Sequence, residues 1–308
     1  MSESSQAQKR ESADSQGEKD GVASKKPKIE SCAKGSDDNG VKEPSFLIEA
    51  DAAEDKGSRL TMEDAWVVLL DASLDYPGKL RCAHFAIYDG HGGRLAAEYA
   101  QKHLHRNVLS AGLPRELYDA KATKRSILNG GWQDGATAVC VWVLGQKVAV
   151  AHIGDAKAVL ARSTDGSQNP DGVQALKAIV LTREHKPIFP LERTRIQKSG
   201  GFVSPDGRLL GRLEVSRAFG DRQFKKVGLV ASPDVYTFEV TDTEHFIILG
   251  CDGLWGVFGP SDAVDFVQKL LNEGLPVATV CRRLVREAVR ERRCKDNCTA
   301  IIIVFKHK

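Results

Sequence analysis

Four aspartates of this chain stand directly beside apolar stretches that have the composition of buried strands. Asp89, Asp155 and Asp252 each follow such a stretch, and Asp296 precedes one. A charged carboxylate in that position is costly unless it is paired or bound to a metal ion, and no lysine or arginine lies within four positions of Asp89 or Asp252. Carboxylate oxygens suit hard divalent ions such as Mg²⁺ and Mn²⁺. The four aspartates therefore predict a shared cation site.

Glycine follows two of these aspartates. Gly90 comes after Asp89, and Gly253 comes after Asp252. Because glycine has no side chain, the backbone can approach an ion closely there, and Gly90 can offer its carbonyl oxygen. A single Asp-Gly pair more often marks a turn. Four aspartates in the same setting nevertheless favour the cation site.

The elements that would position these aspartates are mostly strands. Ten runs are apolar and rich in β-branched residues, and several are apolar on both faces, as expected for strands buried between layers: Phe46–Ala50, Ala65–Leu70, Cys82–Tyr88, Ala136–Leu144, Lys147–Ile153, Ala158–Arg162, Ala178–Leu181, Val235–Val240, His245–Gly250 and Thr299–Phe305. Helical periodicity is found in four stretches: Arg94–Leu109, Pro190–Ser199, Pro260–Asn272 and Leu275–Arg292. Helices in blocks, without strict alternation, indicate an α+β domain with packed sheets and outer helices.

The first 43 residues differ in composition from the rest of the chain. They are rich in Ser, Lys, Glu, Asp and Gly and have almost no large apolar residues, so they cannot bury enough surface to offset their ordering entropy. We therefore predict a disordered tail at 1–43 and one catalytic domain at 44–308. The cluster Lys25-Lys26-Pro27-Lys28 fits either a nuclear import signal or a solvated tail of mixed charge.

Composition and charge exclude several classes of protein. The 308 residues are 42% hydrophobic and 28% charged, which is typical of a globular protein, and a net charge of +3 predicts neither a nucleic-acid nor a membrane partner. The sequence has no apolar run long enough to span a bilayer, and its N-terminus lacks the apolar core of a signal peptide. Its seven scattered cysteines indicate reduced thiols. We expect an intracellular protein of the cytoplasm, the nucleus or both.

Seven motifs occur in the order in which the protein phosphatase 2C family has them, so the chain from about residue 45 to about residue 305 resembles that family. They are Arg59-Leu60-Thr61-Met62-Glu63-Asp64-Ala65, Tyr88-Asp89-Gly90-His91-Gly92-Gly93, Asp134-Gly135-Ala136-Thr137-Ala138, Gly154-Asp155-Ala156-Lys157-Ala158, Glu214-Val215-Ser216-Arg217-Ala218-Phe219-Gly220-Asp221, Cys251-Asp252-Gly253-Leu254-Trp255 and Lys295-Asp296-Asn297. The sequence around Glu214–Asp221 and Asp252–Phe258 resembles that of the integrin-linked-kinase-associated branch of the family.

The resemblance implies a four-layer αββα sandwich, in which two packed antiparallel sheets are flanked by helices. It also implies an enzyme that hydrolyses phosphoserine and phosphothreonine in proteins with a metal-activated water. A pair of Mg²⁺ or Mn²⁺ ions would be held by Glu63, Asp89, Gly90, Asp252 and Asp296, with Asp89 as the bridge. We expect a monomer whose partners are phosphoprotein substrates, with no nucleic acid and no membrane among its partners.

Two further residues, Arg59 and His91, have predicted catalytic roles. The guanidinium fork of Arg59 suits phosphate oxygens, and the alternative for Arg59 is a surface ion pair with Glu63 or Asp64. His91, two residues after Asp89, is the candidate general acid that protonates the departing alkoxide, although a lone histidine more often has a structural role.

The chain departs from the family pattern at two places. Many members have an acid where this chain has Gly256, and that acid holds a third, weaker cation with the residue matching Asp155, so we predict a weakened third site. The family fits two long helices between Gly93 and Gly135, and here the second, at about Glu116–Leu128, would be short. The shortening motivates one alternative, a phosphoprotein-binding regulator with weak catalysis on the same fold. A metal-dependent nuclease is another alternative, which the small net charge does not support.

Overall fold

The computed structural model describes residues 45–72, 81–110, 133–168 and 174–308. The predicted tail at 1–43 and the predicted second helix at Glu116–Leu128 lie outside these ranges, so both stay predictions. The boundary of the catalytic domain at residue 44 also stays a prediction.

Strands in the described ranges are numbered in chain order. They are β1 (Phe46–Asp55), β2 (Ala65–Leu69), β3 (Cys82–His91), β4 (Gly135–Leu144), β5 (Lys147–Ile153), β6 (Lys157–Gln168), β7 (Gln174–Val180), β8 (Phe219–Gly220), β9 (Asp234–Glu239), β10 (Glu244–Gly250) and β11 (Cys298–His307). One sheet has the order β1-β11-β10-β6-β7, and the other has the order β2-β3-β4-β5-β9 with β8 added beside β4. Neighbouring strands in both sheets are antiparallel.

Helices lie between these strands in the sequence. They are α1 (Leu95–Ser110), α2 (Pro190–Lys198), α3 (Arg222–Lys225), α4 (Asp252–Trp255), α5 (Pro260–Asn272) and α6 (Val277–Arg286). The start of α5 follows the predicted pattern, with Pro260 in its first turn, where a missing N–H costs nothing. The chain then leaves α5 through Gly274 at φ 77°, a left-handed conformation that favours glycine.

The main core lies between the inner faces of the two sheets. Phe85, Ile87 and Val141 of one sheet and Ile247 and Ile303 of the other are fully buried in it. The residues between these positions are buried as well, because the outer faces of the sheets are covered by helices. This double burial explains why β3 and β4 are apolar on both faces.

The outer faces of the sheets pack against different helices. The sheet that contains β10 and β11 is covered by α5 and α6, through apolar side chains that include Val264, Val267, Val280 and Leu284. The sheet that contains β3 and β4 is covered by α1, through Ala96, Ala97, Ala100 and Leu104. The layers therefore run helix, sheet, sheet, helix, which confirms the predicted αββα sandwich.

The structure differs from the sequence predictions at the ends of elements and in the shortest ones. The predicted helix Leu275–Arg292 is an α-helix only over Val277–Arg286 and continues as a π-helical turn, Glu287–Glu291. The elements α3, α4 and β8 were missed, since four residues or fewer are too short to show a hydrophobic period. Strand β3 continues past Tyr88 to His91, so it contains residues that have predicted catalytic or metal-binding roles.

Among the described residues, no helix is both long and apolar enough to cross a membrane.

Candidate metal centre

A cleft of about 570 Å³ opens where several strand ends meet. Antiparallel pairing places the end of β3 and the end of β5 beside the start of β4, and it places the end of β10 beside the start of β11. The cleft is lined by residues that follow or precede these ends, including Glu63, Asp89, Gly90, His91, Asp155, Asp252 and Asp296. The predicted site residues therefore meet in one place, and Arg59 lines the same cleft.

Three of the predicted carboxylates come very close together. Asp89, Asp155 and Asp252 each offer an oxygen, and these oxygens lie within 4.8 Å of one another. Loss of hydration, followed by the charges of Asp252, Asp64 and Asp155, raises the pKa of Asp89 well above its usual value. The pKa of Asp252 is raised to about 7, first by loss of hydration and then by the charges of Asp155 and Asp296. Carboxylates that compete for protons in this way fit a hard divalent cation, which removes their repulsion.

Asp296 lies at the same cleft and pairs with Arg59. Arg59 Nη2 donates a hydrogen bond to Asp296 Oδ2 at 2.5 Å, while Asp296 Oδ1 accepts the N–H of Asn297 at 2.8 Å. The alternative partners of Arg59, Glu63 and Asp64, are therefore not its ion-pair partners here. The Arg59 side chain is 61% exposed, so its guanidinium remains accessible from the cleft.

The loop that contains Glu63 is held in place by hydrogen bonds to the Asn297 side chain. The Asn297 side-chain amide donates to the carbonyl oxygens of Lys56, at 3.0 Å, and Thr61, at 2.9 Å. Its oxygen accepts the N–H of Glu63 at 2.8 Å. One buried amide thus uses its donors and its acceptor to attach the loop to the start of β11.

Glu63 and Gly90 approach each other too closely for any side chain at position 90. A Cβ built on Gly90 would lie 2.2 Å from the carbonyl oxygen of Glu63. Glu63 Oε2 also accepts the N–H of Gly93 at 3.1 Å. The loop therefore crosses the end of β3 beside Asp89, which brings together three of the predicted metal ligands, Glu63, Asp89 and Gly90.

Replacing Asn297 with alanine is expected to weaken Mn²⁺ binding by about 10-fold, because Glu63 loses its support while every predicted ligand remains. Isothermal titration calorimetry measures the affinity, and circular dichroism checks the fold. Asn272→Ala, at the last residue of α5, is the matched control and should leave the affinity unchanged. An affinity in Asn297→Ala equal to that of the unmodified protein would contradict the supporting role.

Asp155 is paired with a cation that the sequence analysis did not single out. Lys186 Nζ donates a hydrogen bond to Asp155 Oδ2, and Asp155 is buried. Burial lowers the pKa of Lys186, but the charge of Asp155 and this hydrogen bond outweigh burial, so the net direction is upward. Lys186 follows β7 after a short loop, and a single lysine there gives no sequence signal. The ammonium already balances part of the Asp155 charge, and Gly256 adds no carboxylate.

His91 lies at the last position of β3 and lines the cleft. Its Nε2 lies 2.6 Å from Oδ2 of Asp221. Burial lowers the pKa of His91, while the hydrogen bond and the charge of Asp221 raise it, and the net direction is upward. Asp221 belongs to one of the seven motifs, but its sequence position had suggested no role.

A second cluster of potential ligands lies outside this cleft. Atoms of His152, His185 and Asp234 also lie within 4.8 Å of one another. The two imidazole rings are stacked, with centroids 4.7 Å apart and planes 8° from parallel, so no single ion can lie in both ring planes. His185 Nδ1 accepts the N–H of Gly154 at 3.1 Å, and its Nε2 lies 3.1 Å from Asp234 Oδ2. These contacts indicate a structural cluster that supports the turn before Asp155.

Comparisons with known proteins agree with this architecture. The family described as "Protein phosphatase 2C" matches residues 48–298. "Probable protein phosphatase 2C 8" of Arabidopsis thaliana is 71% identical over 279 residues, covering 85% of this chain and 80% of that protein. The human "Integrin-linked kinase-associated serine/threonine phosphatase 2C" is 36% identical over 296 residues, covering 85% of this chain and 74% of that protein, which supports the predicted branch. The crystal structure of a serine-threonine phosphatase 2C from Toxoplasma gondii superposes with a TM-score of 0.69 at 25% identity, covering 86% of this chain and 97% of that chain.

Proposed function

The chain belongs to the protein phosphatase 2C family of metal-dependent serine/threonine phosphatases, and we propose that the cleft around Asp89 is where it hydrolyses phosphoserine and phosphothreonine in other proteins. The observation that carries this proposal is the convergence of three carboxylates within 4.8 Å in a cleft that also holds Arg59 and His91. The regulator with weak catalysis is not favoured, since the relatives are named as phosphatases.

We propose that the cofactor is a pair of Mg²⁺ or Mn²⁺ ions. Their ligands would be oxygen atoms of Glu63, Asp89, Gly90, Asp252 and Asp296, and Asp155 would belong to a weaker third site. When bound, the ions supply an activated water near neutral pH and neutralise charge on the phosphoryl oxygens. An oxygen-only ligand set supports hard ions over zinc, which usually has nitrogen or sulfur ligands.

Two side chains of the protein would bind the phosphoryl group and donate a proton to the leaving oxygen. Arg59, held at the rim of the cleft by Asp296, has a guanidinium fork that can bind two phosphoryl oxygens. His91 would donate a proton to the serine or threonine oxygen as the P–O bond breaks. Asp89 would help to hold the ions, because its carboxylate has an oxygen within 4.8 Å of oxygens of Asp155 and Asp252.

The His91→Ala variant tests this assignment through the leaving group. Its turnover of a phosphothreonine peptide is expected to fall by about 10²-fold, because an alkoxide is a poor leaving group that needs the acid. Its turnover of an aryl phosphate, which leaves without protonation, is expected to fall much less. Initial rates with Mn²⁺ give both values, and His103→Ala, on the exposed side of α1, is the control. Equal losses on both substrates would count against His91 as the acid.

We also propose that the protein acts as a monomer inside the cell, in the cytoplasm or the nucleus. The composition of the chain and the basic cluster Lys25–Lys28 support this proposal. Light scattering on the purified full chain tests the first part. The distribution of a fluorescent fusion, with and without Lys25→Ala, Lys26→Ala and Lys28→Ala, tests the second.

A further inference from the structure

The candidate acid His91 contacts a buried carboxylate from a distant part of the chain. His91 Nε2 and Asp221 Oδ2 lie 2.6 Å apart, and the Asp221 side chain is only 4% exposed. The two residues are 130 positions apart in the sequence. A short contact between a ring nitrogen and a buried carboxylate is a charge-assisted hydrogen bond, and such bonds are among the strongest in proteins.

The sheet itself holds the two partners in place. Gly135, the first residue of β4, pairs with His91 of β3 on one side and with Gly220 of β8 on the other. The backbone N–H of Asp221 donates to the carbonyl oxygen of Asp134 at 2.9 Å. The backbone of His91 is therefore fixed by its own pairing with β4. Asp221 is fixed by the pairing of its neighbour Gly220 with β4 and by its own N–H, which bonds to Asp134.

The hydrogen bond passes directly over the α-carbon of Gly135. A Cβ at this position would lie 2.0 Å from Asp221 Oδ2 and 2.3 Å from His91 Nε2. Neither side chain can move aside cheaply, because the Asp221 side chain is only 4% exposed and the His91 ring is held against it by the 2.6 Å contact. Position 135 therefore accepts only glycine if the contact between His91 and Asp221 is to form.

Asp221 does not do what an aspartate in its local position normally does. It precedes the short helix α3, where an aspartate usually accepts a backbone N–H of the first turn, yet none of the described residues of α3 receives a capping hydrogen bond from its side chain. Its φ of 50° is uncommon for a residue with a side chain. The nearby Lys225 donates instead to the carbonyl oxygen of Ala218 at 2.6 Å. The carboxylate is directed towards His91.

We propose that Asp221 is a positioning residue that orients His91 for proton donation to the leaving oxygen of the substrate. This inference rests on the proposed role of His91 as the general acid. Because Asp221 accepts the proton on Nε2, the proton that His91 transfers is the one on Nδ1. Phosphorus forms a new bond to the oxygen of the attacking water as the P–O bond to the serine or threonine oxygen breaks. The electron pair of the broken bond stays on the leaving oxygen, and the Nδ1 proton moves to that oxygen. His91 is then neutral, with its remaining proton on Nε2 still held by Asp221.

The test uses the full chain with Mn²⁺ and the variant Asp221→Asn, which keeps the size of the side chain but removes its charge. Turnover of a phosphothreonine peptide is expected to fall by about 10- to 100-fold. Turnover of p-nitrophenyl phosphate should stay within about threefold of the unmodified enzyme, because its leaving group needs no acid. Mn²⁺ affinity, measured by calorimetry, should be unchanged. Equal losses on both substrates would overturn the proposal.

A double-mutant comparison separates positioning from a general structural effect. Once His91→Ala has removed the acid, adding Asp221→Asn should cost no more than about twofold on the peptide, because residues that act as one unit are not additive. Losses that simply multiply would show that Asp221 acts independently of His91. They would overturn the proposal even if each single variant is slower.

The chain offers a matched control in a second histidine–aspartate pair. His185 Nε2 and Asp234 Oδ2 lie 3.1 Å apart, and neither residue lines the cleft. Asp234→Asn should change the turnover of both substrates equally, as expected if this pair has only a structural role. If Asp221→Asn does not fold, Asp221→Glu takes its place. A lower turnover of the peptide alone supports positioning, whereas an equal fall in the turnover of both substrates opposes it. An inactive unmodified chain would instead refute the proposed function, so the two failures are distinguishable.

Discussion

Replacing Asp89 with asparagine is expected to lower the turnover of a phosphothreonine peptide by about 10³-fold or more. The substitution keeps the size of the side chain and removes one charge from the cluster that also contains Asp155 and Asp252. Metal ions contribute several kcal/mol to the stabilisation of a phosphoryl transition state, and about 4 kcal/mol corresponds to about 10³ in rate. Loss of this proposed ligand should therefore remove most of the catalysis.

Initial rates over a range of Mn²⁺ concentrations measure this effect, and calorimetry measures the accompanying loss of tight Mn²⁺ binding. Asp265→Asn, at an exposed position of α5, is the matched control and should behave like the unmodified enzyme. A chelator should reproduce the loss in the unmodified enzyme. Turnover of the Asp89→Asn variant within 10-fold of normal, or metal binding of normal affinity, would refute the role of Asp89.

Without metal, Asp252→Asn is expected to be more stable than the unmodified protein, and the difference should grow as the pH rises. The pKa of Asp252 is raised from 3.8 to about 7 in the folded protein, first by loss of hydration and then by the charges of Asp155 and Asp296. The folded state thus holds this proton more tightly than the unfolded state, so it loses stability as the pH rises from about 4 to about 7. Asparagine does not titrate and avoids that loss.

The size of the effect is limited by solvent, because Asp252 is exposed to the cleft. After allowance for screening, we expect about 1 to 2 kcal/mol at pH 8, which corresponds to about 2 to 8 °C in the midpoint of thermal unfolding. Scanning calorimetry in EDTA at pH 5, 6, 7 and 8 measures the difference. For Asp265→Asn, the difference in midpoint from the unmodified protein should not grow with pH. A difference for Asp252→Asn that stays constant with pH would refute the electrostatic explanation.

Mn²⁺ should reverse the order of stability. An ion at 100 times its dissociation constant stabilises the folded state by about 2.7 kcal/mol, and the unmodified protein should gain that amount. The Asp252→Asn variant has lost a predicted ligand and should gain less. The same residue is then unfavourable for the metal-free fold and favourable for the loaded one, as expected for a site selected for binding rather than for stability.

The sequence by itself determined the longer elements of the described ranges and proposed the candidate ligands. Continuous apolar runs and proline and glycine at helix ends are local features, because a residue's backbone preference and its burial pattern act over a few neighbours. For that reason the predicted bounds of β5 and α5 agree with the structure, and the family motifs identified Asp89, His91 and Asp252. Short elements such as α3 and β8 were beyond this reasoning, since they contain too few residues to show a period.

Only the tertiary structure decided which partner each of these residues has. Arg59 pairs with Asp296 across 237 positions, and His91 meets Asp221 across 130. Lys186 reaches Asp155 across 31 positions, although no local pattern distinguishes it from other surface lysines. Such contacts follow from strand register and from the packing of separate loops at one end of the sheets, where distances between side chains depend on the whole fold. The chemistry of a carboxylate or an imidazole is written in its residue type, but its charge, orientation and proton affinity are set by neighbours that the chain brings together only when it folds.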